Sequence, residues 1–241
     1  MHPTDIPPDV VARVAPRRGE GPLFRDVDPR RAALLVIDLQ NAFVVDGCGP
    51  THVAAAMAIV PNVNRLAAAV RATGGTVWWI QHTVTDAGTA SWSNHARFLG
   101  LLEQGEQARA TVLREGSAGH RLFAGLDVGP DDEHVLKTRF SPFVPGASNI
   151  HERLRRAGVD TLLVAGTATN VCCESTVRDA MALDYRCVLV SDANAARSDA
   201  EHVAALVNVY TAFGDVLSTE RVLDLLGAAR SVSQRGEPSA R

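Results

Sequence analysis

The stretch Ala165-Gly166-Thr167-Ala168-Thr169-Asn170-Val171-Cys172-Cys173-Glu174-Ser175-Thr176 carries an apolar strand into a turn of small residues and then directly into a helix. A cysteine just after such a turn falls in the first helical turn, where unpaired backbone N–H groups and the helix dipole favour a thiolate. That is an address for a nucleophile, although free cysteine is more often a small buried hydrophobe. The strand itself spans Thr161 to Ala165, and the helix is predicted over Cys172 to Asp184. On that helix Cys173, Val177, Ala180 and Met181 share one apolar face expected to pack on a sheet, which leaves Cys172 at the turn.

Outward from this unit the pattern repeats. Ala32-Ala33-Leu34-Leu35-Val36-Ile37-Asp38 is a continuous apolar run ending in a carboxylate, the mark of a parallel strand buried on both faces. Pro61 suits a first helical position, and Leu66, Val70 and the closing Gly74-Gly75 predict a helix over Pro61 to Thr73. Further strands are expected at Thr76 to Gln81, His134 to Lys137, Arg186 to Ser191 and, briefly, Asp215 to Leu217. Asn149 with Glu152 and Ser198 with Glu201 form capping-box patterns. The first opens a helix with Ile150 and Leu154 on one face and Gly158 at its end; the second opens one running toward Phe213. A last helix is predicted over Thr219 to Leu226. Between His82 and Pro130 the pattern is irregular, with short helical pieces around Ala96 to Glu103 and near His120 to Leu126. Excursions of this length more often serve binding than spacing.

Strands alternating with helices predict an α/β three-layer sandwich around a central parallel sheet, formed by residues 29–228 as one domain. Residues 1–28, rich in Pro and Arg, suggest an extended arm able to wrap a neighbouring subunit, and residues 229–241 suggest a flexible tail. With 241 residues, 46% of them hydrophobic, the chain can bury a full core. A net charge of -3 without a Lys/Arg stripe argues against nucleic acid and anionic membranes as partners and for a small molecule. Neither a signal-peptide pattern nor an apolar run near the roughly 18 residues of a membrane span is found, so a cytoplasmic protein is expected. Cys48, Cys172, Cys173 and Cys187 are sparse and lack C-x-x-C spacing, which speaks against a disulfide framework or a paired-cysteine zinc site.

In open parallel sheets, ligands bind outside the carboxyl ends of the strands. Asp38 closes the first strand, Lys137 the third, and Cys172 follows the fourth. Singly, an Asp there is commonly a turn residue and a Lys commonly snorkels to water. Together they supply a base, an electrostatic partner and an attacking sulfur for nucleophilic amide hydrolysis. Asp38 would take the thiol proton while Lys137 stabilises the thiolate and orients the carboxylate. Backbone N–H groups around Ala168 and Cys172 would receive the developing oxyanion. The scheme asks for no metal or other cofactor.

These residues resemble the isochorismatase-like cysteine hydrolases, which include nicotinamidases, carbamoylsarcosine and biuret amidohydrolases, and ureidoacrylate amidohydrolase. The likeness runs from about Ala32 to Leu226. It is carried by Leu35-Val36-Ile37-Asp38-Leu39-Gln40-Asn41, by Leu136-Lys137-Thr138-Arg139-Phe140-Ser141 and by Gly166 to Cys172. It implies a catalytic Asp38, Lys137 and Cys172, and a non-proline cis peptide at Thr167-Ala168 near the oxyanion donors. The run Ala168 to Ala180 is most similar to ureidoacrylate and triuret-type hydrolases of N-carbamoyl or ureido groups, with Cys173 where valine is usual. Members acting on isochorismate lack the cysteine, so the resemblance implies C–N cleavage.

Metal-dependent nicotinamidases of this family carry an Asp-x-His pair and a later His, whereas this chain has Gln81-His82-Thr83-Val84-Thr85-Asp86. A zinc-assisted, nicotinamidase-like alternative would draw on His82, His95 and Asp86. His120 is expected on the side of a helix. Substrate contacts are expected from Asn41, Phe43, His82 and Trp92, with Phe140 and Phe143 as apolar walls. Ureidoacrylate-type members present asparagine at the place of His82 and tyrosine at that of Phe43, so an acidic ureido substrate does not follow. Arg139 has two readings, a partner for a substrate carboxylate or a solvated or interface residue. A homodimer or homotetramer is expected from the arm and the resemblance. A catalytically silent α/β binding protein is the alternative outside enzymes.

Overall fold

The computed structural model describes residues 1–19, 21–100 and 110–233. Six strands, β1 (Ala32–Ile37), β2 (Thr76–His82), β3 (Glu133–Lys137), β4 (Thr161–Thr167), β5 (Arg186–Ala195) and β6 (Asp215–Leu217), join in the order β3-β2-β1-β4-β5-β6. All five neighbouring pairs are parallel. The apolar run of β1 is buried on both faces, as a central parallel strand requires. Its side chains alternate between two cores. Leu34 and Val36 join the helix Ala56–Ala72 and Val222 and Leu226 of the C-terminal helix, whereas Ala33, Leu35 and Ile37 join Ile150, Leu154, Val177, Ala180 and Leu206. The α/β three-layer sandwich expected from the sequence is therefore the architecture found.

The order reverses between β1 and β4: β2 and β3 extend the sheet on one side of β1, and β4, β5 and β6 on the other. Crevices outside the carboxyl ends of strands at such a switch point are where open α/β sheets bind ligands. Gly166 lets these two strands close. Its φ is +122°, and a Cβ there would drive into the Ile37 carbonyl.

Several expectations are corrected. Residues 1–28 are not wholly extended: Pro8–Arg18 is an α-helix that packs on its own domain. Pro8 sits at a favourable helix start, Val10 and Val14 are buried one turn apart, and Arg17 and Arg18 complement the C-terminal dipole. Arg18 pairs with Asp215 of β6 in a nearly buried ion pair and donates to the Tyr210 and Gly214 carbonyls at 2.8 and 3.0 Å. The helix predicted from Pro61 begins at Ala56, five residues earlier, because Ala56, Ile59 and Val60 continue the buried face through Val63, Leu66 and Val70. Met57, whose carbonyl loses its partner to Pro61, lies on the exposed side. The C-terminal helix runs Thr219–Ser233, past the expected end, and the remainder of the predicted tail lies outside the described residues.

The excursion after β2 holds helices Asp86–Ala90 and Ser93–Gly100, while the rest of the predicted piece, 101–103, lies outside the described residues. His120 to Leu126 is not helical. Its backbone is committed elsewhere: Ala42, Asn41 and Phe123 N–H groups bond the Gly119, Arg121 and Leu39 carbonyls at 2.9 Å each, and Gln40 bridges Leu122. This clamps the returning excursion over the end of β1. Among the described residues no helix is long and apolar enough to cross a membrane.

Candidate active site

Asp38 is the first residue after β1 and one of two non-glycine residues with positive φ, at +54°, among those described. Aspartate tolerates this left-handed region, and the abrupt turn ends the strand there. Lys137 is the last residue of β3, in register with His82 of β2. Its long side chain passes over β2 to donate to Asp38 Oδ2 at 2.9 Å, with both side chains fully buried. Nζ also donates to the Arg139 carbonyl at 3.2 Å and lies 3.3 Å from His82 Nδ1. Cys172 faces the same ammonium. Burial alone would pull Lys137 down, but the Asp38 carboxylate and then Cys172, by charge and hydrogen bond, outweigh it and raise the lysine pKa.

The three residues named from strand ends thus converge, although they come from β1, β3 and the turn after β4. Asp38 Oδ1, the carboxylate oxygen that Lys137 does not hold, is buried without a hydrogen-bond partner among the described residues. A buried carboxylate oxygen left open in this way is a ready proton acceptor.

The Cys172 segment differs from the expected α-helical start. Thr169–Cys173 forms one π-turn, with the Cys173 N–H bonded to the Ala168 carbonyl at 3.2 Å, and the α-helix begins only at Glu174 and ends at Ala182. Such wide turns are rare and cluster at functional sites. The Thr167-Ala168 peptide preceding it is cis. Cys172 and Cys173 are both buried, at 5% and 0% exposure, so depth alone does not separate them. Burial first, and then the neighbouring Cys172 and Asp38, push the Cys173 thiol well above the usual range against a weaker pull from Lys137. On the apolar face Cys173, Val177 and Ala180 are buried as expected, but Met181 is 44% exposed and does not pack on the sheet.

The expected substrate contacts divide. His82 is buried beside Lys137, and its backbone is held by Gln40, whose Oε1 accepts its N–H at 2.8 Å and whose Nε2 donates to its carbonyl at 3.1 Å. Half-buried Trp92 stacks on His95 with centroids 3.8 Å apart, and its edge meets Phe140 at 4.8 Å. Phe43 is buried against Ala42 and Leu113, and Asn41 donates its amide to the Ala118 carbonyl at 2.9 Å. Phe143 packs in the core against Tyr185 and His151. Arg139 is half-buried and makes a contact that the sequence did not suggest. Its guanidinium bonds Thr138 O and Ser91 Oγ at 2.9 and 2.8 Å and lies over Trp92, so it clips the excursion to the end of β3.

His120, expected on a helix side, is buried with Nε2 2.8 Å from Thr83 Oγ1, and burial lowers its pKa against a weaker effect of Glu115. His82, His95 and Asp86 do not assemble into a cage: Asp86 pairs with Arg114, and no cluster of three or more metal-binding side chains occurs among the described residues. Sequence reasoning missed the roles of Gln40 and of Thr169, whose hydroxyl meets His202. Gln40 lies within the run Leu35 to Asn41, where nothing local marks its partners.

Residues 32–221 match the isochorismatase domain model. The chain belongs to the isochorismatase family. A ureidoacrylate amidohydrolase, RutB, of Methylobacterium radiotolerans is 32% identical over 220 residues, which is 82% of this chain and 81% of that protein. An Arabidopsis thaliana protein described as a probable inactive nicotinamidase is 34% identical over 184 residues, 75% of this chain and 88% of the relative. Among solved structures, a cysteine hydrolase of Pseudomonas syringae pv. phaseolicola superposes with a TM-score of 0.74 at 28% identity, covering 88% of this chain and 99% of that one. As an isochorismatase-family chain, the protein carries its strand-end residues on the parallel sheet shared with these structures.

Proposed function

We propose that the protein is a cysteine hydrolase that cleaves the C–N bond of a small amide, ureido or carbamoyl compound without a metal, through an acyl-enzyme on Cys172. The observation that carries this reading is the divided Asp38 carboxylate: Oδ2 is held by Lys137 and Oδ1 is open. In this scheme Oδ1 takes the Cys172 thiol proton, and the resulting thiolate stays beside the Lys137 ammonium. The sulfur attacks the carbonyl carbon, and the tetrahedral oxyanion is received by the backbone N–H groups of Ala168 and Cys172. Collapse breaks the C–N bond as protonated Asp38 gives its proton to the departing nitrogen. Water, deprotonated by Asp38, then releases the acyl group and regenerates the thiol. His82, Trp92 and Phe140 are assigned to the substrate side.

Similarity to a ureidoacrylate amidohydrolase and a cysteine hydrolase supports C–N hydrolysis. A second reading, a silent protein that keeps the fold, is favoured by the relative described as inactive. Both meet the same experiment. Ammonia release is followed over a panel of ureido, carbamoyl and aromatic amides, with Cys172→Ala and Cys173→Ala alongside the wild type. Turnover abolished in Cys172→Ala and largely kept in Cys173→Ala is the expected result, with a mass-spectrometric acyl adduct on Cys172. Loss confined to Cys173→Ala would move the nucleophile by one residue. No turnover across the panel together with a thiol inert to electrophiles would favour the silent protein.

A further inference from the structure

Three residues before Cys172, Thr169 is fully buried at the start of the π-turn. Its hydroxyl lies 2.9 Å from Nδ1 of His202, a fully buried residue near the start of the helix Asp199–Asn208. The same helix grips the far side of the turn, where Asn208 Nδ2 donates to Glu174 Oε1 at 3.0 Å. The Cys172 carbonyl is held from within by Thr176 Oγ1 at 2.6 Å. The segment carrying the sulfur is therefore pinned before and after Cys172 to a helix that contributes nothing else to the chemistry.

The His202 ring is covered by His2, whose ring stacks on it at 4.7 Å and 22°. His2 in turn reaches Asp199 Oδ1 at 2.7 Å and the Ala196 backbone at 3.1 Å. Burial, and then the facing His2, bring the His202 pKa down to about 4 against the opposing Ser191 backbone and Asp199. The bond to Thr169 is thus made by a neutral imidazole.

We propose that Thr169 and His202 are a positioning pair which, through their hydrogen bond, sets the π-turn so that the Cys172 sulfur stands against Asp38 and Lys137. The proposal rests on Cys172 as the nucleophile. Neither residue touches the substrate; both act through the backbone of the turn. The reason to expect a sizeable effect is geometric, since displacing a reacting atom by about 1 Å can cost roughly a hundredfold in rate.

The test is the rate of iodoacetamide addition at Cys172 as a function of pH, located by peptide mass spectrometry in the full-length protein. Thr169→Val keeps the volume and removes the hydroxyl, Thr169→Ser keeps the hydroxyl, and His202→Phe keeps a ring without the nitrogen. Thr169→Val and His202→Phe are each expected to slow addition about tenfold and move the profile to higher pH. Thr169→Ser is expected to restore it, and the double Thr169→Val/His202→Phe to be no slower than the slower single. Wild-type profiles in both singles, a Ser variant as slow as the Val variant, or losses that multiply in the double would overturn the pairing. Profiles are taken on protein with wild-type circular dichroism, and should His202→Phe not fold, the comparison of Val with Ser at 169 decides. Turnover by Cys172→Ala tests the nucleophile separately: if retained, the reading beneath the proposal fails, whereas loss of turnover with an unchanged Thr169→Val profile overturns the proposal alone.

Discussion

Lys137 has more partners than protons: the Asp38 carboxylate, the Arg139 carbonyl, His82 Nδ1 and Cys172 all face one ammonium. The buried charge persists because Asp38 offsets its desolvation, so either member of the pair depends on the other. Lys137→Met should therefore leave a buried carboxylate unpaired and cost about 3–5 kcal/mol in urea unfolding. Asp38→Asn in the same chain should recover part of that loss without recovering reactivity at Cys172. At this scale the sequence was most legible where a polar residue ended an apolar run, as Asp38 and Lys137 do. It was least legible where an ordinary polar residue met a partner far along the chain: Gln40 lies 42 positions from His82, and Thr169 lies 33 from His202. Nothing in either residue's neighbourhood announces such a contact.

Elements followed the apolar period closely and departed where tertiary contacts outweighed local signals. Pro61 marked a start that burial of Ile59 and Val60 extended, and the Asn149 pattern gave a helix whose first N–H bonds Ser148 Oγ at 3.2 Å rather than Asn149. At Ser198 the cap half of the pattern formed, its hydroxyl accepting from the Glu201 N–H at 3.3 Å and donating to Glu201 Oε2 at 2.9 Å. The π-turn had no sequence signature, since a helical period does not reveal one widened turn. The excursion is held at the level of elements, with Arg139 joining the end of β3 to the helix Asp86–Ala90 through Ser91 and Gly88. Arg139→Ala should raise amide hydrogen exchange in peptides covering residues 85–95 by at least about tenfold while leaving β1 and β4 protected, because the lost bonds lie outside the sheet.

The whole molecule binds its first residues into its own fold, with Arg18 fixed on Asp215 and His2 on His202. This has a consequence for stability against pH. His202 titrates at about 4 in the folded chain and near 6.5 when unfolded, so between these values only the unfolded chain binds the proton. Stability from this residue is complete above about pH 6.5 and is lost as the pH falls toward 4. His120, also lowered by burial, adds in the same direction. The urea midpoint should fall steadily between pH 7 and 4.5, and His202→Asn should flatten that slope. Asp132 is lowered from a value already near 3.8 by Arg71 and Trp79 against its burial, so its contribution appears only at lower pH.

The strand order holds one more implication. Asp38 and Lys137 stand 99 positions apart, and β2 must lie between their strands before they can meet, while Cys172 arrives in the turn after β4. On the proposed cysteine mechanism, a chain still emerging from the ribosome carries Cys172 as an ordinary thiol, because neither the Asp38 carboxylate nor the Lys137 ammonium yet stands beside it. Under that mechanism the thiol is activated only once β1 to β4 are paired, so iodoacetamide addition mapped to Cys172 would report the joining of these four strands.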